Sequence, residues 1–166
     1  MTKNSVEMLS GFYVVTGASS GIGLELAKLA AQDGAALLLV ADRDLSDAKR
    51  VVQQCGASEV ETLKVDLATV EGTDRVIEKI GSRSVDGLMA NAGHGLGEAF
   101  FTQKWNEIAH VIDTNITGTV SLIHRIGGDM VLRDKGRIVV TGSIAGDMPG
   151  AYQLCLLYTS PSPRDS

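Results

Sequence analysis

The sequence predicts an α/β fold in which a doubly wound parallel sheet carries helices on both of its faces. Two observations predict it. Short apolar runs alternate with helical patterns along the chain, and the first run leads into a glycine-rich turn. Strands that are apolar at consecutive positions are typical of parallel sheets, because helical crossovers bury both faces. Right-handed crossovers then give the doubly wound form. The alternation stops after the fifth strand, so we expect the fold to be truncated there.

The expected elements follow from the spacing of apolar residues. Apolar runs predict strands over 12–16, 37–40, 60–65, 85–90 and 137–141. Helical spacing predicts helices over 21–33, 44–54, 69–80 and 104–130, the last as one helix or two. Gly34 is expected to end the first helix as a C-cap glycine, and Asp44 is expected to cap the second.

The composition excludes several classes of protein. A chain of 166 residues that is 44% hydrophobic suffices for one packed domain. The net charge of −5 without a basic cluster argues against nucleic acid as a partner. No apolar run is long enough to cross a membrane, and the first ten residues lack the order of a signal peptide. Cys55 and Cys155 have no CxxC partner, which argues against a zinc site or a disulfide framework. We expect a cytoplasmic protein without a metal.

The glycine-rich turn is typical of a dinucleotide-binding site. Residues 16–23 read Thr-Gly-Ala-Ser-Ser-Gly-Ile-Gly, between the first strand and the first helix. Gly17 allows the tight turn, Gly21 lets the backbone approach a pyrophosphate, and Gly23 lets the helix pack against the strand. The helix N-terminus offers unpaired N–H groups and a partial positive charge. The expected pyrophosphate contacts are Gly17, Ser19, Ser20, Gly21, Ile22 and Gly23. The alternative is a plain glycine-rich turn.

Asp42 and Arg43 follow the second strand and bear on the choice of cofactor. A carboxylate at this place can accept hydrogen bonds from both hydroxyls of an adenosine ribose, and it would repel a 2′-phosphate. Asp42 therefore favours NAD. Arg43 could bind that phosphate instead, so NADP stays open. The remaining alternative is a solvated charge pair.

The order of these and later motifs resembles the short-chain dehydrogenase/reductase family, a group of Rossmann-fold enzymes. Thr-Gly-x-x-x-Gly-x-Gly matches its first turn, and Val-Asp-Leu at 65–67 and Asn-Ala-Gly at 91–93 match its later ones. Asn115 in Thr-Asn-Ile-Thr-Gly and Ser143 after the fifth strand also match. Ala90 stands where many members have a second Asn.

The resemblance implies a role for each matching residue. Asp66, with Leu67, would contact the adenine ring. Asn91, with Ala92 and Gly93, would support the central strand and bound the adenosine end of the cofactor. Ser143 would orient the substrate, and Asn115 would hold a water that bridges to a lysine of the family.

The resemblance also implies a tyrosine that moves the proton and a lysine that lowers its pKa. They would fall at 156 and 160, where the chain has Leu156 and Ser160. Residues 155–165 match the translation of a transposase-based sequencing adapter. We therefore expect an incomplete NAD(P)-binding domain over 1–154 and a non-native tail over 155–166. The alternative is a genuine polar C-terminal tail.

The function that the resemblance implies is an NAD(P)-dependent oxidoreductase. It would transfer hydride between a nicotinamide and a small-molecule alcohol or carbonyl substrate, and the full-length parent would be a homo-oligomer. We expect the chain as written to be inactive. Two alternatives stay open, namely a non-catalytic dinucleotide-binding fragment and an NADP-dependent carbonyl reductase that uses Arg43.

The remaining conspicuous side chains have ordinary structural interpretations. An apolar stripe on the last predicted helix is expected to form core or a subunit contact, and it consists of Trp105, Ile108, Ile112, Ile116 and Val120. His94 could face a substrate, although a solvated loop histidine is the simpler expectation. His110 and His124 are not at metal-ligand spacing with each other.

Overall fold

A computed structural model of the chain describes residues 9–97 and 99–143. Its strands are β1 Phe12–Thr16, β2 Ala36–Ala41, β3 Glu59–Lys64, β4 Gly87–Ala90 and β5 Arg137–Val140. Its α-helices are α1 Gly21–Gln32, α2 Ser46–Gln54, α3 Val70–Ile80, α4 Trp105–Ile112 and α5 Thr119–Leu132. A short 3-10 helix, Phe100–Thr102, precedes α4, and a π-helical segment, Asp113–Gly118, joins α4 to α5. Positions 156 and 160 and the tail over 155–166 lie outside the described residues.

The strands form one parallel sheet in the order β3-β2-β1-β4-β5. The chain runs outward from β1 to β3, then crosses back to β4 beside β1 and continues to β5. This reversal between β1 and β4 makes the sheet doubly wound and opens a crevice at the carboxyl ends of these two strands. The predicted fold class is therefore confirmed.

Strands β1, β2 and β4 supply side chains to two hydrophobic layers, because successive residues point to opposite faces of the sheet. Tyr13 and Val15 of β1 belong to the layer that α1 and α2 cover, whereas Val14 belongs to the layer that α3 and α5 cover. Three alanines of α1 are fully buried in the first layer, and they let this helix lie close to the sheet: Ala27, Ala30 and Ala31.

The long helix predicted over 104–130 is two helices joined by the π-helical segment, and its apolar stripe is only partly in the core. Ile108 is buried, but Trp105 is 73% exposed and Val120 is 58% exposed, so neither lies in the core and a subunit contact stays a prediction for both. Residues four apart in an α-helix drift by about 40° per step, so a stripe with this spacing turns away from the core. The core positions are instead Ile108, Val111, Leu122, Ile126 and Met130.

Smaller differences concern the ends of elements. Gly34 has a φ of 81° and its N–H donates to Ala31 O, as expected for a glycine that ends α1. The N-cap of α2 is Leu45, one residue later than expected, and Asp44 instead accepts hydrogen bonds from the N–H and the hydroxyl of Ser46. In the part of the chain that the structure describes, no helix is long and apolar enough to cross a membrane.

Candidate functional site

A cleft with a volume of about 600 Å³ lies at the carboxyl ends of the central strands. It is bounded by the turns after β1, β2, β3 and β4 and by α4. The residues that line it are Gly17, Ser19, Ser20, Ile22, Ala41, Asp42, Arg43, Val65, Asp66, Leu67, Asn91, Ala92, Gly93, His94, His110, Thr114 and Thr141. A crevice at this place is the usual ligand site of a doubly wound sheet.

Glycine stands at three positions of the first turn for different structural reasons. A Cβ at Gly23 would collide with the carbonyl oxygen of Gly17 and lie 2.6 Å from Asn91 Nδ2, so α1 can start this close to the sheet only with glycine there. Gly17 has a φ of 65°, and a Cβ would lie 3.0 Å from the Ala92 backbone. Gly21 has a φ of 57° but no heavy atom within 4 Å of its Cβ position. Its backbone is therefore open to a ligand.

The first turn of α1 presents unpaired donors to the cleft. Ser20 is the N-cap residue and its side chain makes no capping hydrogen bond. The first turn of this helix contains no acidic residue. The helix dipole therefore meets no neutralising carboxylate on its own turn, which is the arrangement that favours a bound anion such as a pyrophosphate.

Asn91 holds the ends of three strands together. Its side-chain amide donates to the carbonyl oxygens of Thr16 at 3.3 Å and Gly17 at 3.5 Å, and its Oδ1 accepts from the Thr141 hydroxyl at 2.9 Å. Thr16 is 2% exposed, and its hydroxyl accepts hydrogen bonds from the N–H groups of Asn91 and Ala92. Sequence reasoning missed Thr16 and Thr141, although both stand directly before or after the motif turns.

The turn after β2 carries one ion pair at the cleft. Arg43 Nε lies 3.3 Å from Asp42 Oδ1, and both side chains are more than half exposed. Both residues line the cleft, so the two alternatives for the cofactor stand next to each other. An exposed pair of this kind contributes little to stability, so both groups are available to a ligand.

Asp66 makes two contacts at the neighbouring wall. Its Oδ1 accepts a hydrogen bond from the Ala68 N–H at 2.9 Å, which closes a tight turn after β3. Its Oδ2 lies 3.1 Å from His110 Nε2, and His110 Nδ1 lies 2.9 Å from His94 Nε2. His94 is exposed, as expected for a loop histidine, but it lines the cleft and contacts His110, which the simpler expectation missed.

Asn115 lies behind the cleft wall, in the π-helical segment. Its amide donates to the His94 carbonyl oxygen at 2.8 Å, and its Oδ1 accepts from the His94 N–H at 3.0 Å. The two bonds resemble a rung of a β-ladder and fix the loop after β4. A Cβ at Gly93 would lie 3.1 Å from Asn115 Oδ1, so the loop approaches Asn115 closely.

Most of the predicted site residues lie together. Among the described residues, the exceptions are Gly21, Gly23, Asn115 and Ser143, which do not line the cleft itself. The two glycines shape the turn. Asn115 contacts the backbone of His94, which lines the cleft. Ser143 is exposed and follows Thr141, which does line the cleft.

The described carboxyl groups with a lowered pKa lie outside this cleft. The Lys79 ammonium and the Arg83 guanidinium hold the pKa of Glu61 in β3 below its ordinary value. Burial alone would raise the pKa of Asp86 before β4, but hydrogen bonds from Lys135 and the Phe12 N–H lower it. These groups fasten the sheet rather than the cleft. Over residues 9–97 and 99–143 no cluster of side chains could hold a metal ion.

The fold and the position of the cleft define a Rossmann-type protein, and comparison with known proteins narrows this class. The short chain dehydrogenase family matches residues 12–160. Human 17-beta-hydroxysteroid dehydrogenase type 1 is 34% identical over 142 residues, which cover 81% of this chain and 43% of the human protein. The chain belongs to the short-chain dehydrogenase family.

Solved structures agree with this assignment. The L-sorbose reductase of Gluconobacter frateurii, in complex with NADPH and L-sorbose, superimposes with a TM-score of 0.81 and 32% identity over 91% of this chain and 59% of its own. The bulky-bulky ketone specific alcohol dehydrogenase of Comamonas testosteroni gives a TM-score of 0.78 and 26% identity over 83% of this chain and 57% of its own. The chain thus spans about half the length of the relatives that it matches.

Proposed function

We propose that the protein is an NAD(P)-dependent oxidoreductase that acts on the hydroxyl or carbonyl group of a small molecule. The observation that carries the proposal is the open, uncapped first turn of α1 at the crevice between β1 and β4, with Asp42 and Asp66 on the walls. A dinucleotide needs an anion site next to a site for its adenosine, and the cleft offers groups for both.

The residues present fit a nicotinamide dinucleotide. The pyrophosphate would lie over the open backbone at Gly21, beside Ser19 and Ile22. Asp42 would accept hydrogen bonds from the adenosine ribose, and Asp66 would accept one from the adenine amine. When bound, the cofactor supplies or accepts the hydride.

The remaining roles belong to the substrate end. Ser143 would donate a hydrogen bond to the substrate oxygen and thereby orient it. Asn115 uses both polar ends of its side chain on the His94 backbone, so its contribution is first to hold the loop after β4. A water that bridges toward a lysine would have to share these atoms or use the backbone of Asn115.

We further propose that NAD is preferred over NADP, because the Asp42 carboxylate would repel a 2′-phosphate. Arg43 supports the opposite preference, and the L-sorbose reductase was solved with NADPH. The likeness to dehydrogenases of steroids and reductases of sugars supports a small alcohol or carbonyl substrate. A homo-oligomeric, cytoplasmic full-length protein remains part of this proposal.

The test is a nucleotide titration with matched variants. The wild-type protein should bind NAD more tightly than NADP, and Asp42→Ala should reduce this ratio by about ten- to a hundredfold, since a hydrogen bond to a charged group contributes about 1.5–3 kcal/mol. Asp47→Ala, an exposed aspartate on α2, is the control and should leave the ratio unchanged. Tighter binding of NADP by the wild type, lost in Arg43→Ala, would contradict the NAD preference.

The alternative of a non-catalytic dinucleotide-binding fragment is separated by turnover. We expect the 166-residue chain, with Leu156 and Ser160, to show no oxidation of alcohols in an NADH absorbance assay, and the full-length relative that carries Tyr and Lys at these positions to be active. Turnover by the chain as written would show that the tyrosine and the lysine are dispensable.

A further inference from the structure

Three side chains connect the two ends of the cleft through direct contacts. His110 Nε2 lies 3.1 Å from Asp66 Oδ2, and His110 Nδ1 lies 2.9 Å from His94 Nε2. The backbone of His94 is in turn held by both polar atoms of the Asn115 side chain. The contacts thus run from the wall at β3, across α4, to the loop after β4. None of the motifs that define the family includes His94 or His110.

When the rings of His94 and His110 are both neutral, only one placement of their protons satisfies these contacts. A carboxylate only accepts, so His110 must donate to Asp66 from Nε2. The Nδ1 of a neutral His110 then accepts, so His94 must donate to it from Nε2. The Thr114 hydroxyl, 3.5 Å from His110 Nδ1, is at the outer limit of hydrogen bonding and does not change this order.

The contacts also leave Asp66 with little freedom. The Ala68 N–H binds Oδ1 and His110 binds Oδ2, so the carboxylate plane is fixed from two sides. A donor on a ligand then meets the remaining lone pairs of a carboxylate whose orientation is already fixed. Groups that lock a ligand-binding side chain in this way raise affinity, because less side-chain freedom is lost on binding.

We propose that His110 and His94 are positioning residues that hold Asp66 for an adenine-containing nucleotide and link its binding to the loop that Asn115 fixes. The proposal rests on the proposed function. Its ligand class is a purine nucleotide whose exocyclic amine donates to Asp66. Its consequence is that binding of the adenine changes the environment of Asn115 through the ring of His94.

The first test reads the rings without any ligand. In the protein labelled with ¹⁵N-histidine, long-range ¹⁵N–¹H spectra should show both His94 and His110 protonated on Nε2. His124 on α5 does not line the cleft, and His124→Ala assigns its signals. A His110 ring protonated on Nδ1 alone would overturn the proposal, because it could not donate to Asp66.

The second test measures binding of AMP and of nicotinamide mononucleotide, which lacks the adenine. His110→Leu should weaken AMP binding about tenfold, in the range of one charged hydrogen bond, and change the binding of nicotinamide mononucleotide less than twofold. His110→Gln should restore most of the AMP affinity, since its amide can donate to Asp66. In an Asp66→Asn background, His110→Leu should change AMP binding less than twofold. His124→Ala is the control and should bind both nucleotides as the wild type does.

The link to Asn115 has its own readout. AMP should shift the side-chain amide resonances of Asn115 in the wild type, and His94→Ala should abolish this shift while AMP still binds. Equal AMP affinity in the wild type and in His110→Leu would overturn the positioning role, and an unchanged Asn115 shift in His94→Ala would overturn the link. A folded wild type that binds no AMP, with the ring protons as expected, would overturn the proposed function and the ligand assigned to Asp66.

Discussion

The β1–β2–β3 side and the β4–β5 side of the sheet differ in how completely their side chains are buried. Strand β2 lies between β1 and β3, and five of its six residues are buried. Strand β5 pairs with β4, and all four of its residues are exposed, including Ile138, Val139 and Val140. The β1–β2–β3 side also carries the glycine-rich turn after β1 and the cleft residues Asp42 and Asp66. The difference teaches that these walls of the cleft rest on the more tightly packed half of the domain.

The largest effect should come from a cavity in the packed half. Leu38→Ala in β2 removes a fully buried side chain and should lower the free energy of unfolding by about 2–5 kcal/mol. Ile138→Ala in β5 removes a side chain of the same size at a 38% exposed position and should cost less than about 1 kcal/mol. Urea denaturation of both variants measures the contrast. Equal losses would show that the two halves are packed alike.

A second, smaller effect tests the turn beneath the cleft. Gly23→Ala places a Cβ against the Gly17 carbonyl and the Asn91 amide, so the turn must shift, at a cost of about 1–3 kcal/mol for overpacking. Nucleotide affinity should fall with it. Gly128→Ala in α5 meets no atom within 4 Å and should be neutral or stabilise by roughly 0.5–1 kcal/mol. Thermal melts with and without NAD compare the two, and a neutral Gly23→Ala would mean that the turn has room to relax.

The smallest effect concerns the outer edge of the packed half. Because ion pairs with Lys79 and Arg83 lower the pKa of Glu61 in the folded state, its contribution to stability is present above the unfolded pKa. It is lost as the pH falls through the folded pKa. Glu61→Gln should therefore destabilise at pH 7 by about 1 kcal/mol or less and converge with the wild type in acid. Glu59→Gln, an exposed residue of the same strand, is the control. A difference that persists in acid would assign the effect to packing.

Local patterns were sufficient to predict the packed half. The buried runs of β1 and β2 and the turn from Gly17 to Gly23 involve neighbours in sequence, so their spacing alone carries the information. The contacts that join distant segments were not predictable in this way. His94 and His110 meet only because the loop after β4 and the helix α4 converge at the cleft, and neither residue belongs to a periodic pattern.

The positions of Trp105 and Val120 outside the core have a related cause. The stripe from Trp105 to Val120 followed α-helical spacing, and the π-helical segment Asp113–Gly118 interrupts that spacing. Position 105 has helical spacing with the stripe, yet Trp105 is exposed at the first turn of α4. The sequence contains Asn115 in a recognisable motif, but its partner is a backbone, which leaves no trace in residue type.

The π-helical segment Asp113–Gly118 fixes the number of residues that can stand between α4 and α5. It accommodates one more residue per turn than an α-helix, and it lets Asn115 reach the His94 backbone while Gly118 lies against the Leu67 carbonyl. Deleting one residue here would restore α-helical pairing and rotate everything on one side by about 100°, which would break one of the two contacts. We therefore expect this segment to tolerate no insertion or deletion, whereas the loop over 95–97, with open space around both of its glycines, should accept either.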